Sequence, residues 1–295
     1  MAIMTHYPCP IDFAAAWHSC TAQDPNHRGD AAVDLAFWQE HAAGYDEHSR
    51  SPGYYEGALD AIGALVRPDD TLLDVGAGAG RFALPLARRV KQVTALDHAR
   101  PMLDILQRRA GAQGIGNLSL VEAAWEDAEV EPHDVVLAAW SLYRLPDMLV
   151  GMKKLIAATR RTLIIVAGAG HSIRHDAVLR DLWPHADHND TPMHIYYYGV
   201  LWQAGVHPEL YIVQDHHLIR GETPQQIARQ LAPDCATPTE LDAFCIRLLP
   251  QMRQTVTGWR YEHPVPVGLL VWQAEPRLPD PVQMADCLRI RRLTW

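Results

Sequence analysis

The sequence lacks several features that would place it in a large class of proteins. Its five cysteines are scattered and include no C-x-x-C pair, which argues against a disulfide framework and for reduced thiols. No apolar run approaches the roughly 20 residues that span a bilayer. The start, MAIMTHYPCPIDF, has neither the basic residues nor the apolar core of a signal peptide. We therefore expect a soluble, cytoplasmic protein that makes no use of a membrane.

Positive charge is also scarce. The chain has 26 Lys and Arg against 35 Asp and Glu, a formal net charge of -9. A chain with this balance has no overall electrostatic attraction for a polyanion, so nucleic acid is not an expected partner. Whether the protein forms a homodimer is left open by the sequence.

The sequence does contain a regular alternation of strand-like and helix-like segments. Five apolar segments are predicted strands, with helical patterns between most of them: TLLDVG, QVTALD, NLSLVEA, HDVVLAAW and RTLIIVAG. Alternation at this spacing predicts βαβ units and a parallel sheet. Two further strands, ELYIVQDHHLI and VPVGLLVWQA, are predicted beyond residue 205, with a mostly helical stretch between them.

This pattern predicts one domain with additions at both ends. Residues 1–32 form an irregular lead-in, residues 33–275 form the domain, and residues 276–295 form a tail. Within the domain, helices over 33–66 precede a core over 70–170. Residues 171–275 supply a helical lid or insert and the last strands.

Two loops of alternating Gly and Ala end predicted strands, LLDVGAGAGRF at 72–82 and LIIVAGAGHSI at 163–173. Glycines between a strand and a helix permit a tight turn and close approach of a ligand to the backbone. A dinucleotide fingerprint counted from Gly76 would need glycine where Arg81 stands, although one counted from Gly78 ends acceptably on Ala83. The glycines alone therefore leave the cofactor undecided.

Two acidic residues beside the first loop distinguish it from the second. Asp74 lies two residues before Gly76, where a carboxylate would repel a pyrophosphate but suits a cationic ligand such as S-adenosylmethionine (SAM). Asp97 ends the next predicted strand, about 20 residues on, which suits binding of ribose hydroxyls. The second loop lacks both acids and is predicted to be a turn into the insert.

Four successive segments carry a resemblance to a known family: LLDVGAGAGRFALPLA, VTALDHARPMLDIL, NLSLVEAAWEDAE and HDVVLAAWSLYRLPDM. They resemble, in order and spacing, the motifs of class I SAM-dependent methyltransferases of the small-molecule type. The resemblance covers about residues 33–170. It implies a Rossmann-like α/β fold, with a mainly parallel seven-stranded sheet and an antiparallel last strand. It also implies an enzyme that transfers a methyl group from SAM to a small-molecule acceptor by in-line displacement.

The resemblance also implies roles for the cofactor-binding residues. Asp74, Gly76 and Gly78 would line the methionine part of SAM, Asp97 would bind the ribose, and His98 would flank the adenine. At position 124 the family commonly has an acid, whereas this chain has Ala124. The backbone and ring of Trp125 would therefore contact the adenine instead. Trp140 would sit beside the methyl group. Tyr45, in a Tyr-Asp pair of the upstream helix, would lie near the SAM carboxylate.

Residues for the acceptor are predicted from their place after the fourth strand or, for Tyr197, in an aromatic run that could form a pocket wall. The residues expected to line or orient the acceptor are Ser141, Arg144 and Tyr197. An oxygen nucleophile would need a base, whereas a carbon or soft nitrogen nucleophile would not. The candidates for a catalytic role are His171, His48 and Tyr143.

Other interpretations are weaker but differ in kind. Histidines cluster over 171–194, yet the chain has 16 histidines throughout, so we predict no metal ligands. A nucleic-acid methyltransferase is disfavoured because neither N-P-P-Y nor D-P-P-Y follows the fourth strand. A nicotinamide-dependent oxidoreductase is disfavoured by Asp74. A protein of this fold that binds its ligand without turnover remains an alternative.

Overall fold

The computed structural model of the protein describes residues 11–21, 31–49, 55–170, 173–184, 192–233 and 235–274. Side chains are described for these residues except for 31, 43–49 and 173–176. None of the helices within these ranges is long and apolar enough to cross a membrane.

One sheet of eight strands organises the described part of the chain. The strands are β1 (Thr71–Val75), β2 (Gln92–Asp97), β3 (Leu118–Glu122), β4 (His133–Ala139), β5 (Thr159–Gly168), β6 (Glu209–Gly221), β7 (Met252–Thr255) and β8 (Gly258–Gln273). Their order is β3-β2-β1-β4-β5-β8-β6, and β7 pairs with β8 beside this path. Strands β1 to β5 are parallel, whereas β8 is antiparallel to both β5 and β6.

The predicted fold is confirmed by this order. The mainly parallel sheet and its antiparallel last strand are both present, as the resemblance implies. The short strand β7 was not predicted. It lies inside the stretch 223–256 that the sequence pattern indicated to be mostly helical, and it forms because it pairs with the start of β8.

Ten helices surround the sheet in the described ranges. They are α1 (Phe13–Thr21), α2 (Ala31–Ser49), α3 (Glu56–Gly63), α4 (Ala83–Ala87), α5 (Arg100–Ala112), α6 (Met148–Ala157), α7 (Ile173–Leu182), α8 (Met193–Gln203), α9 (Pro224–Leu231) and α10 (Pro238–Leu248). Local sequence explains several starts: Pro101 stands in the first turn of α5, and Asp147 accepts a hydrogen bond from the amide of Val150 to cap α6.

Helix α1 departs from the expectation of an irregular lead-in over residues 1–32. Trp17 is 1% exposed and joins the core beneath α6 and α8. The side-chain amide oxygen of Gln203 accepts a hydrogen bond from the amide of Ala14 at 3.0 Å. This tertiary packing stabilises a nine-residue helix that sequence periodicity alone does not indicate.

The sheet separates two large hydrophobic clusters because successive side chains of a strand point to opposite faces. Leu72 packs in one cluster with α3, α4 and α5, and its neighbour Leu73 packs in the other with α1, α6 and α8. Both leucines are fully buried.

Strands β6 and β8 continue beyond the carboxyl end of β5. The last residue of β5, Gly168, pairs with Val267, so residues 258–266 of β8 and 214–221 of β6 form a two-stranded ribbon above that edge. This ribbon, β7, α7, α9 and α10 share a separate core around Trp183, Phe244 and Tyr261. We call this unit the cap. It lies at the edge of the sheet where ligands bind in open α/β folds.

Candidate functional site

Gly76 and Gly78, in the loop after β1, both adopt a backbone conformation that favours glycine. Gly76 has a φ of 74°, and a Cβ added to it would lie 2.2 Å from the Cβ of Ser141. Gly78 has a φ of 53°, and an added Cβ would meet nothing within 4 Å. Gly76 therefore allows close packing against the end of β4, whereas Gly78 leaves backbone open to a ligand.

Asp74 lies at the end of β1 beneath this loop. Its side chain is 2% exposed, and Oδ2 has no hydrogen-bond partner among the described residues. Burial, reinforced by the negative charge of Asp97, raises the pKa of Asp74 to about 7. The amide of Ala83 donates to this carboxylate and opposes the shift. The site thus holds a buried carboxylate that a positive charge would stabilise.

Asp97, at the end of β2, connects the loop to the neighbouring strand. Its Oδ2 accepts a hydrogen bond from the amide of Gly78 at 2.8 Å, and its Oδ1 accepts one from the amide of Ala99 at 2.8 Å. Burial raises the pKa of Asp97, while these two hydrogen bonds and the charges of His98 and Arg144 oppose the rise. The loop and Asp97 thus form one hydrogen-bonded unit.

A buried polar network joins helix α2 to this unit. Asp34 is completely buried, and its Oδ2 lies 2.8 Å from Arg144 Nη1 and 3.0 Å from His98 Nε2. The Arg144 guanidinium also lies 2.8 Å from His98 Nε2. Because His98 directly follows Asp97, this network fixes α2, which contributes Trp38, over one side of the site.

The opposite side of the site is aromatic. Tyr55 and Trp140 are the two non-glycine residues with positive φ in the described ranges, at 59° and 51°. Their rings stack with centroids 3.9 Å apart and planes inclined by 26°. The ring of Phe82 lies 6.0 Å from that of Trp140.

These groups line one cleft of about 310 Å³ at the carboxyl ends of β1, β2 and β4. Most of the residues singled out from the sequence meet there: Asp74, Gly76, Gly78, Asp97, His98, Trp125, Trp140, Ser141, Tyr143 and Arg144. The structure thus brings together side chains that are up to 70 positions apart in sequence.

Three of these residues make contacts within the protein that sequence analysis did not indicate. Arg144 pairs with Asp34, as described above. The hydroxyl of Ser141 donates to the carbonyl of Val75 at 2.6 Å, which joins the ends of β4 and β1. Trp125 donates from Nε1 to the carbonyl of Gly151 at 3.2 Å, and Lys154 Nζ donates to its carbonyl at 2.6 Å.

Tyr197 does not lie in the cleft. It is 3% exposed, packs in the core on the α8 side of the sheet, and burial raises its pKa. The prediction that Tyr197 lines the acceptor therefore finds no support in this geometry. Tyr45 and His48 lie in α2 but their side chains are outside the described residues, and so is His171.

Several residues that line the cleft were not predicted from the sequence. They are Trp38, Tyr55, Arg81 and Phe82. Arg81 and Phe82 directly follow the glycine loop, so their position could have indicated a role. Trp38 lies in α2 and Tyr55 directly precedes α3, and the sequence does not encode locally where these helices pack. Among the described residues, no group of three or more His, Cys, Asp or Glu is arranged to hold a metal ion.

The residues present fit a cationic adenosyl cofactor. The unpartnered carboxylate oxygen of Asp74 matches a positive charge, the open space over Gly78 admits a ligand to the backbone, and Asp97 offers further acceptor capacity to hydroxyl groups. A pyrophosphate would instead meet two buried carboxylates.

Comparison with known proteins agrees with this fit. A family model described as a methyltransferase domain matches residues 72–163. An uncharacterised methyltransferase of Bacillus subtilis is 22% identical over 63% of this chain and 79% of its own length. A ubiquinone biosynthesis O-methyltransferase of Serratia proteamaculans is 30% identical over 44% of this chain and 55% of its own length. A 23S rRNA uracil-C5-methyltransferase of Photobacterium angustum is 32% identical over 26% of this chain and 32% of its own length.

The fold is shared with a solved structure. Magnesium protoporphyrin IX methyltransferase of Synechocystis PCC 6803, with bound SAH, matches with a TM-score of 0.53 and 13% identity. The match covers 83% of this chain and all of that one. The family model thus identifies a methyltransferase domain over residues 72–163, and the four motifs, the sheet order and the acid-lined glycine loop agree with an enzyme that has SAM as its methyl donor.

Proposed function

We propose that the protein transfers the methyl group of SAM to a small molecule bound beside SAM in the cleft at the carboxyl ends of β1, β2 and β4. The observation that carries this proposal is the size and charge of the cleft. Its volume, about 310 Å³, lies at the lower end of the range of small-molecule sites and includes the space in which SAM is proposed to bind. Its lining holds three acids, Asp74, Asp97 and Glu126, against two arginines.

This charge balance argues against a polynucleotide acceptor. Binding of nucleic acid relies on several Lys or Arg contacts to phosphates. Of the two lining arginines, Arg144 already pairs with the buried Asp34. The similarities to 23S rRNA methyltransferases cover 26%, 43% and 42% of this chain but only 32–33% of those proteins, so they carry no substrate over.

The chain's own residues would position the reactants. Asp74, Gly76, Gly78 and Asp97 would hold the donor, and the Asp34 network would keep α2 closed over it. When bound, SAM supplies a methyl group activated by its attachment to a sulfonium. The aromatic side chains beside Gly76 would exclude water and restrict the acceptor to an orientation that favours in-line attack.

The acceptor class is tested by following label from radioactive SAM. The purified enzyme is incubated with a metabolite extract filtered to small molecules and, separately, with total cellular RNA. We expect label to enter the small-molecule fraction and not the RNA. The variant Asp97→Asn, which weakens donor binding, serves as the negative control. Label found in RNA alone would show that the proposed acceptor class is wrong.

We further propose that a histidine removes the acceptor's proton if the nucleophile is oxygen, with His171 and His48 as the candidates. Replacing the acting histidine with alanine is expected to lower kcat by about 10²-fold and to remove the acidic limb of the pH profile. The Kd for SAM should not change. His175→Ala, in the same segment as His171, is the matched control. If neither variant loses activity, no histidine base from this pair acts.

A further inference from the structure

The aromatic side of the cleft has a backbone conformation that L-residues rarely adopt. Tyr55 and Trp140 both have φ values in the left-handed region, at 59° and 51°. Neither is glycine or asparagine, the residues that reach this region most easily. Conformations of this kind persist where surrounding structure enforces them, and they concentrate at ligand sites.

The cap holds Tyr55 in this conformation. Tyr55 precedes α3, whose first turn is capped by Asp215 of β6: Asp215 Oδ2 accepts a hydrogen bond from the amide of Ala58 at 3.0 Å. The amide of Gly57 donates to the same carboxylate, which is 2% exposed. The direction of α3 at its start, and with it the position of Tyr55, is therefore set from the ribbon of the cap.

Further contacts orient the ring of Tyr55. The imidazole of His217, on the same ribbon, meets it edge to face with centroids 5.2 Å apart. The guanidinium carbon of Arg81 lies 5.2 Å from the ring centroid, at cation–π distance. The ring of Trp140 stacks on Tyr55 at 3.9 Å. Elements distant in sequence thus converge on this one side chain.

The pair faces the cleft and not only the core. Tyr55 and Trp140 are both partly exposed and both line the cleft, beside Gly76 and Ser141. An aromatic surface prefers another aromatic ring in offset or edge-to-face contact over a saturated ring of the same size. A flat aromatic wall of this kind recognises shape and π-electron distribution.

We propose that Tyr55 and Trp140 form an acceptor-binding wall for a planar aromatic ring, that Tyr55 determines this specificity, and that Asp215 is its positioning residue. The inference rests on the proposed small-molecule function and adds the chemical class of the acceptor.

The first test measures binding to the enzyme saturated with S-adenosylhomocysteine, by ligand-observed NMR. Three matched pairs are compared: phenol and cyclohexanol, 2-naphthol and decahydro-2-naphthol, and benzoate and cyclohexanecarboxylate. We expect the aromatic member to bind at least tenfold more tightly in each pair. Equal binding within the pairs, or binding of neither member, overturns the inference.

Variants test whether the preference for aromatic ligands depends on Tyr55 and on its positioning by Asp215. Tyr55→Asn keeps a residue that tolerates positive φ and is expected to abolish the preference, whereas Tyr55→Phe should retain it. Asp215→Asn should reduce the preference while the Kd for S-adenosylhomocysteine stays within twofold, which also shows that the variant is folded. Val256→Ala, at a fully exposed position of the cap, should change nothing. A preference that survives Tyr55→Asn overturns the role of Tyr55.

The same inference is separable from the proposed function in a turnover assay. Methylation of the phenols but not of the saturated alcohols supports both. Methylation of saturated alcohols alone overturns the aromatic acceptor and leaves the small-molecule function intact. Methylation of RNA alone overturns the function on which the inference rests.

Discussion

Replacing Asp74 with asparagine is expected to stabilise the ligand-free protein while it weakens SAM binding. Asparagine has nearly the same shape and keeps an oxygen that can accept the hydrogen bond from the amide of Ala83. It removes the charge that the buried site does not favour. The same charge is what a cationic cofactor would stabilise, so fold stability and function oppose each other at this residue.

The gain in stability should depend on pH in a defined way. The pKa of Asp74 is raised from 3.8 to about 7 in the folded protein, so the folded state holds a proton that the unfolded chain has released between these values. The wild-type protein therefore loses stability as the pH rises from about 4 to about 7, by up to about 4 kcal/mol. Asp74→Asn should be more stable by about this amount at pH 8 and by almost nothing below pH 4.

Urea unfolding of both proteins at pH 4, 6 and 8 measures this difference, and Asp69→Asn, at an exposed acid just before β1, is the control. Calorimetry should show the Kd for SAM increased about 10- to 100-fold at pH 8 in Asp74→Asn, the effect of losing one charge-assisted contact. Equal stability of the two proteins at pH 8 would contradict the conclusion that the buried charge of Asp74 destabilises the folded protein.

Asp34→Ala is expected to destabilise the protein by about 3–5 kcal/mol, because it leaves the largely buried Arg144 without its carboxylate. The Kd for SAM should rise as well, since the same contact holds α2 and His98 over one side of the cleft in which we propose that SAM binds. Thermal unfolding and calorimetry measure the two effects on the same preparation.

Two further variants separate packing from charge. Asp34→Leu combined with Arg144→Met replaces the pair with apolar side chains and is expected to recover most of the stability but not the affinity for SAM. Asp104→Ala breaks an exposed pair with Arg100, whose side chains are 51% and 60% exposed, and should cost less than about 1 kcal/mol. Recovery of SAM affinity in the apolar double variant would show that the network only packs α2.

Local sequence was sufficient to predict the strands and the glycine loop in the central part of the protein. The five parallel strands are short apolar segments with helices between most of them, and hydrophobic periodicity reports such elements directly. The glycine loop and its two acids could be identified because their chemistry depends on near neighbours: Asp74 precedes Gly76 by two residues, and Asp97 ends the next strand. These residues line one cleft, as their positions at the strand ends require.

The sequence was less informative where a residue's role depends on a distant partner. Tyr197 was expected beside the acceptor because it stands in an aromatic run, but burial against the sheet places it in the core. Helix α1 was not predicted, because its stability comes from Trp17 packing on α6 and α8. Asp34 is 64 positions from His98 and 110 from Arg144, so no local pattern could connect them.

The sequence by itself determined the fold class, the cofactor and most of the acids and glycines that line the cleft, because strand periodicity, glycine geometry and carboxylate charge act over a few neighbouring residues. Only the tertiary structure decided how the cleft is enclosed. Three contacts join elements far apart in the chain: Asp215 of the cap binds the start of α3, the ring of Tyr55 stacks on Trp140, and Asp34 pairs with Arg144. They exist only once burial of the two cores has brought those elements together.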